Sequence, residues 1–418
     1  MDLKLSLAIL LGLVGTSASA QGWVRTPALF QANGSVLTTF SSSSDLVDVD
    51  ANGNFRYLVQ QQNANPNVAS NMLLLGYTPS GAPLHFQRHI STISGAYYPR
   101  DFTEQGGTVL TSMSDNSTQY LHGATGTLVQ QYQFSGNAHL ASAPNGTGIA
   151  TLSRIFAEPT VIQLELRDAS GNVTLTGTAP YYADDSLAPL NVGALFNRTR
   201  GVIADNGYLH VLEWSNSTGQ LLRDDSLAGP TSLVSQAIAP DGTQYIAATT
   251  GSKPTQSCQI IKVPVSGAPT VLFATNVPGC YPGKHIDADN SGVVALFEQP
   301  SSAHRFVHIS AGGIPLFDLS LSSTSLSGYN TLYSRTLKLS DGRAAMVHHG
   351  FVDQTFTDRQ VIVDVYNATG VLQSVQTLLD LDSSASVHAK AAPDGDVYVA
   401  YTATTANGLA AKIARLDF

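Results

Sequence analysis

The chain has 418 residues, of which 43% are hydrophobic, 8% aromatic and 12% charged, with a formal net charge of −9. The charged fraction is about half the usual ~25%, while the apolar content is ample for a core, which excludes a disordered chain. The acidic balance excludes a nucleic-acid binder, which needs a basic face, and disfavours broad attraction to anionic membranes.

Residues 1–20 read as a secretory signal. Lys4 supplies the positive charge, Leu5–Val14 the apolar run, and Ala18-Ser19-Ala20 a small-x-small cleavage site, with Gln21 as the expected mature N-terminus. The run is too short to cross a bilayer, and no later stretch approaches a span. The expected location is secreted or periplasmic, without membrane insertion. Beyond Gln21, short β-rich runs alternate with Gly, Asn, Asp and Pro, and long helical periodicity is missing. Two turn markers recur. The first is an Asp/Asn-Gly turn between two strands: Asn52-Gly53, Asn145-Gly146, Asp241-Gly242, Asp341-Gly342 and Asp394-Gly395, with Gly106-Gly107 and Ser291-Gly292 as looser versions. The second is a glycine turn joining two apolar strands, at Gly81, Gly126, Gly171, Gly219, Gly267, Gly313 and Gly370. Most of these glycines lie 45–48 residues apart, the period of four-stranded propeller blades.

Each unit therefore reads as four antiparallel strands, and the chain is expected to be all-β: one β-propeller domain over residues 21–418. Seven full units and a C-terminal one, Ala389–Phe418, give eight blades. The alternative is seven, because the unit around Ala183–Leu227 lacks a clear Asp-Gly turn. The last unit ends without a fourth strand. An N-terminal strand, read at Ser35–Phe40, is expected to pair into it and close the ring, removing exposed edges.

Ala392-Pro393-Asp394-Gly395-Asp396-Val397-Tyr398-Val399-Ala400, followed by Ala411–Leu416, resembles the Pro-Asp-Gly repeats of bacterial secreted propellers, as does Ala239–Ala247. Ala124-Thr125-Gly126 and Ser217-Thr218-Gly219 are similar to the turns of quinoprotein-type blades. The resemblance implies a fold, not an activity. The blade tryptophans of quinoproteins are missing, since the mature chain has only Trp23 and Trp214, and no adjacent cysteine pair is present. No quinone, nor any other cofactor, is expected.

Cys258 and Cys280 are expected to form a disulfide in an oxidising compartment. Asp287-Ala288-Asp289-Asn290-Ser291-Gly292, with Glu298 in twelfth place, matches a calcium loop. It overlies a strand turn, however, and Asp and Asn there are expected to cap their own backbone. No nucleophile elbow, zinc motif or phosphate loop occurs.

In a propeller the first strand of each blade lines the central channel. Seven residues back from each first-marker glycine, about 20 Å of strand, lie Leu46, Arg100, His139, Ser235, His285, Arg335 and His388. The fourth unit offers Arg198 or Arg200. Five of the seven are His or Arg, in a chain poor in both. Converging cations attract a carboxylate, sulfate or phosphate, and Arg offers a bidentate fork. Tyr98, Tyr281 and Tyr333 stand just before three of these sites and suit stacking on a sugar ring. A metal held by His139, His285 and His388 is opposed by the neighbouring arginines. Three functions fit: a module binding an anionic glycan or another small anionic ligand at the channel mouth; a lyase or hydrolase acting on uronate polymers, by analogy with lyase propellers that use His and Arg there; or a scaffold for a protein partner. The chain is expected to be a monomer. His85, His89, His304 and His308 are expected on exposed outer strands. At most one of His348 and His349 can face the channel.

Overall fold

The protein is described by a computed structural model covering residues 22–418 except 26–45, 51, 62–70, 91–96, 103–108, 114–117, 123–127, 134–138, 146–147, 156–159, 169, 181–190, 196, 206, 253, 276, 300–303, 322–328, 352–358, 379–386 and 406–407. The signal (residues 1–20), Ser35–Phe40 and the turns at Gly106-Gly107, Gly126 and Gly146 lie outside the described residues.

The described chain is all-β. It opens with β1 (Trp23–Arg25). Sheet I holds β2 (Leu46–Val49), β3 (Phe55–Gln61), β4 (Asn71–Tyr77) and β5 (Pro83–Ile90). Sheet II holds β6 (Tyr97–Phe102), β7 (Val109–Met113), β8 (Thr118–His122) and β9 (Leu128–Gln133). Sheet III holds β10 (His139–Asn145), β11 (Gly148–Ile155), β12 (Val161–Arg167) and β13 (Val173–Pro180). Sheet IV holds β14 (Asn191–Leu195), β15 (Arg198–Asp205), β16 (Tyr208–Ser215) and β17 (Leu221–Ala228). Sheet V holds β18 (Pro230–Ile238), β19 (Gln244–Thr250), β20 (Ser257–Val263) and β21 (Thr270–Ala274). Sheet VI holds β22 (Tyr281–Asp289), β23 (Gly292–Glu298), β24 (His304–Ser310) and β25 (Pro315–Leu321). Sheet VII holds β26 (Tyr329–Lys338), β27 (Ala344–Phe351), β28 (Arg359–Tyr366) and β29 (Leu372–Leu378). Sheet VIII holds β30 (Val387–Ala391), β31 (Val397–Thr405) and β32 (Gly408–Leu416), with β1 as its fourth strand.

In sheets I to VII the strands pair in chain order, antiparallel throughout. In sheet VIII the fourth strand comes from the other end of the chain: Trp23, Val24 and Arg25 pair with Arg415, Ala414 and Ile413. The unit without an Asp-Gly turn is a complete sheet. Its first two strands meet through a tight turn at Asn197. Arg198 and Arg200 therefore stand on the second strand, β15, and not on the first. The count from glycines missed this because that turn contains none.

Burial follows strand order. The second strand of sheet V, Gln244–Thr250, is buried at six of its seven positions. The fourth strand of sheet IV, Leu221–Ala228, alternates between exposed and half-buried. Second strands are covered on both faces by neighbouring sheets, whereas fourth strands have only part of a face to hide. The apolar core accordingly lies between sheets. Phe55, Tyr57, Leu75 and Tyr77 of sheet I pack with Tyr398, Ala400 and Ile413 of sheet VIII. Leu337, Val347 and Val363 of sheet VII pack with Val387, Val399 and Tyr401 of sheet VIII. Similar clusters join III to IV, IV to V, V to VI and VI to VII. First strands lie side by side: β2 against β6 and β30, β10 against β6 and β14, β22 against β18 and β26, and β26 against β30.

Charged side chains stitch the same boundaries. Arg200, Glu213 and Arg223 stand opposite one another on three adjacent strands of sheet IV. Glu213 accepts from Arg200 Nε at 2.6 Å and from Arg223 Nη1 at 3.1 Å. The two guanidiniums then donate to the carbonyls of Gly242, Val263 and Pro264 in the turns of sheet V. Arg200 and Glu213 are almost fully buried. Such a charge pair is tolerable because every side of it meets an opposite charge or a carbonyl.

Candidate functional site

All five cationic candidates lie on first strands: Arg100 on β6, His139 on β10, His285 on β22, Arg335 on β26 and His388 on β30. Four of the five, all but His388, share a feature that counting could not show. The ladder slips between Pro99 and Asp101, leaving Arg100 unpaired, and slips again just after His139. It slips between Leu233 and Ser235, between Pro282 and Ile286 around His285, and between Tyr329 and Tyr333 above Arg335. A bulge bends a strand and re-aims its side chains, and bulges concentrate beside functional sites.

Arg335 and His388 are brought together. Arg335 is half-buried and His388 is buried. Arg335 Nη2 lies 2.7 Å from His388 Nδ1, and Arg335 Nε donates to the carbonyl of Val387 at 2.9 Å. A guanidinium has no acceptor and keeps its protons. Nδ1 of His388 is therefore the acceptor, and the imidazole is neutral with its proton on Nε2. The pair carries one full charge across the boundary between sheets VII and VIII. Tyr281 opens β22 and is 40% exposed. The side chains of Arg100, His139, His285, Tyr98 and Tyr333 lie outside the described residues. In the backbone ladder Tyr98 pairs with Ser112 and Tyr333 with His349.

Tyr281 directly follows Cys280, which is bonded to Cys258 of β20, with Cα atoms 5.8 Å apart. Gln256 Nε2 donates to the Cys280 carbonyl at 3.0 Å, and the Gly279 amide donates to the Gln256 carbonyl at 2.7 Å. The connection from sheet V into β22 is thus fixed both covalently and by hydrogen bonds.

The carboxylates of the calcium-like sequence are engaged by backbone amides. Asp289 Oδ1 accepts from the Ser291 amide at 2.7 Å and from the Gly292 amide at 3.2 Å, capping its own turn. Asp287 Oδ2 accepts the Lys338 amide at 2.9 Å, and its Oδ1 accepts the Ala288 amide at 3.1 Å. Packing around the Asp287 carboxyl raises its pKa, against the opposing pull of Lys390. Glu298 stands at the far end of the hairpin, opposite Tyr281. Among the described residues no group of three or more His, Cys, Asp or Glu is arranged to hold a metal.

The outer histidines depart from expectation. His308 is buried, with Nε2 3.0 Å from Lys338 Nζ. Desolvation first, then Lys338, pushes its pKa down to about 4. His348 is also buried and holds Asp364 Oδ2 through Nε2 at 3.0 Å within sheet VII. Strand position alone suggested an exposed His308 and allowed at most one of His348 and His349 to face the channel. The usable signal was composition: His308 interrupts the apolar run Phe306-Val307-His308-Ile309, and Asp364, the partner of His348, interrupts Val361-Ile362-Val363-Asp364-Val365.

No family model and no curated protein matches the chain. Solved structures do. The Dos1 propeller aligns over 95% of this chain and 96% of its own, with 10% identity and a TM-score of 0.52. The computationally designed Ika8 protein aligns over 91% of this chain and 99% of its own, with 13% identity and a TM-score of 0.48. The WD40 domain of Toxoplasma gondii coronin aligns over 95% and 87%, with 8% identity and a TM-score of 0.44. The Dos1 likeness spans nearly all of both chains and shows the fold, a β-propeller of four-stranded antiparallel sheets.

Proposed function

We propose that the chain is an exported binding module whose eight sheets are the blades of one propeller over residues 21–418, closed by β1 in sheet VIII. It takes a carboxylate- or sulfate-bearing ligand, an acidic glycan being the best fit, at the channel end where the first strands bulge. The observation that carries this reading is the contact of Arg335 with His388 across two blades. Arg335 keeps its positive charge there and is held against His388 and the Val387 carbonyl of the next blade. An incoming anion gains a charge-assisted hydrogen bond from it. Tyr281, anchored by the disulfide, supplies an exposed ring for stacking.

Calorimetric titration with inorganic sulfate and with oligogalacturonates tests the proposal. Binding is expected to weaken with added salt. Arg335→Ala is expected to weaken it by about tenfold to a hundredfold, the range for losing one hydrogen bond from a charged group. Arg305→Ala, on the outer strands, is expected to change it little. Failure of every uronate and sulfate probe to bind would overturn the proposal. Release of unsaturated sugars would convert the module into a lyase.

A further inference from the structure

Fourth strands are the open edges of their sheets, and three consecutive ones share an unusual surface. Seven of the twelve exposed large apolar side chains among the described residues belong to the last turns and fourth strands of sheets V, VI and VII: Val265, Val271, Ile314, Leu316, Val371, Leu372 and Val375. Ile314 is 67% exposed and Val371 56%. The three stretches adjoin. A Cβ on Gly313 would meet Leu272 of β21 at 3.2 Å, and one on Gly370 would meet Phe317 of β25 at 2.7 Å.

The edge strands of this rim carry little charge. Thr270–Ala274 and Leu372–Leu378 contain no ionisable residue. Asp318 of β25 is held by Arg305, whose Nε donates to it at 2.6 Å. The cations that reach the turns are engaged by backbone, Lys262 Nζ by the Ala311 carbonyl at 2.6 Å and Arg223 by the carbonyls of Pro264 and Gly267. Edge strands are ordinarily guarded by charges, and β17 of sheet IV carries Arg223, Asp224 and Asp225. Sheets V and VII lack that guard.

We propose that the outer rim of sheets V, VI and VII is a self-association surface that takes a second copy of this chain. The charge balance selects that occupant. A charged partner finds along the three edge strands only the Arg305–Asp318 ion pair, which is already satisfied. Two copies of a −9 chain repel everywhere except through a surface without net charge. A two-fold contact must be self-complementary, and a neutral aliphatic face meets that condition. This departs from the monomer expected from the sequence and does not rest on the channel-mouth ligand.

Sedimentation velocity across about a hundredfold dilution tests it, because dimers held at micromolar affinity dissociate over such a range. The wild type is expected to shift from dimer to monomer, with no weakening at high salt. Ile314→Asp combined with Val371→Asp is expected to raise the dissociation constant at least tenfold, with an unchanged melting curve at the lowest concentration. Leu84→Asp, 48% exposed on β5 but outside the rim, is expected to leave association unchanged. A wild type that stays monomeric throughout overturns the proposal, as does a rim variant that dimerises like the wild type. Flotation of a monomeric wild type with neutral phosphatidylcholine vesicles would assign the rim to lipid instead, and would likewise overturn it.

Discussion

His308 shows how far a single side chain can depend on its surroundings. It sits among apolar neighbours, T-shaped against Phe317 at 5.4 Å, with its acceptor nitrogen turned to Lys338. Protonation would remove that acceptor and set two cations side by side. The folded-state pKa, about 4, is therefore below the unfolded value near 6.5. A group depressed in this way is fully favourable above the unfolded value. Between about 6.5 and 4 the unfolded chain binds a proton that the folded chain does not. Stability is expected to fall across that window by roughly 3 kcal/mol, at ~1.4 kcal/mol per unit. Below it, this contribution levels off. Urea melts at pH 7, 5.5 and 4 measure the loss. His308→Gln keeps an acceptor for Lys338 but cannot titrate, so it should show a smaller loss than the wild type over the same interval.

At the scale of strands and turns, the close packing of one sheet's last turn against the preceding sheet sets which substitutions are tolerated. Gly219 has φ +70°, and a Cβ there would stand 2.0 Å from the Thr176 carbonyl oxygen of sheet III. Gly267 occupies the corresponding turn of sheet V with φ +91°, and a Cβ there would meet nothing within 4 Å. Gly267→Ala should cost only the left-handed backbone penalty, about 1–2 kcal/mol. Gly219→Ala must also force backbone apart and should cost several kcal/mol, of order 4 or more. Equilibrium denaturation of the two variants gives the comparison, and equal losses would mean that sheets III and IV do not pack as described.

These turns were legible in the sequence because their residues are demanded by local geometry. Gly81, Gly171, Gly267, Gly313 and Gly370 all adopt positive φ, and their spacing alone disclosed the period. The turn at Asn197 was not legible because it uses no glycine, and so Arg198 and Arg200 were assigned to the wrong strand. The strand that completes sheet VIII is Trp23–Arg25, too short at three residues to stand out by periodicity. At the site, the strand of every cationic candidate could be counted from the turns. The bulges could not, because a slipped register leaves no fixed residue signature, and the burial of His308 and His348 showed only as a single polar residue, His308 or Asp364, inside an apolar run.

The whole molecule turns on whether residues far apart in sequence share one boundary. At the meeting of sheets VIII and I, Tyr398 donates its hydroxyl to the Gly53 carbonyl at 2.9 Å and stacks on Phe55, with ring centroids 4.8 Å apart. Arg415 donates to the Pro79 carbonyl while held by Asp394 and Asp396. Arg200 makes comparable contacts between sheets IV and V, reaching the Gly242 carbonyl of the first turn and the Pro264 carbonyl after the third strand. The terminal boundary therefore repeats an internal one. The exception is covalent: sheets IV and V are joined by a single glycine, Gly229, whereas sheets VIII and I are joined only by contacts and by β1. Deleting Trp23–Arg25 removes a few strand hydrogen bonds, each about 1 kcal/mol, and bares β32. Tyr398→Phe leaves the buried Gly53 carbonyl without its donor, at about 1–3 kcal/mol. In a closed ring either change loosens both sides of the seam. Amide exchange is expected to accelerate together in β2–β5 and in β30–β32, with sheets III to V unaffected. Acceleration confined to β30–β32 would mean that sheet I gains nothing from its neighbour, and the chain would then be an open array of sheets.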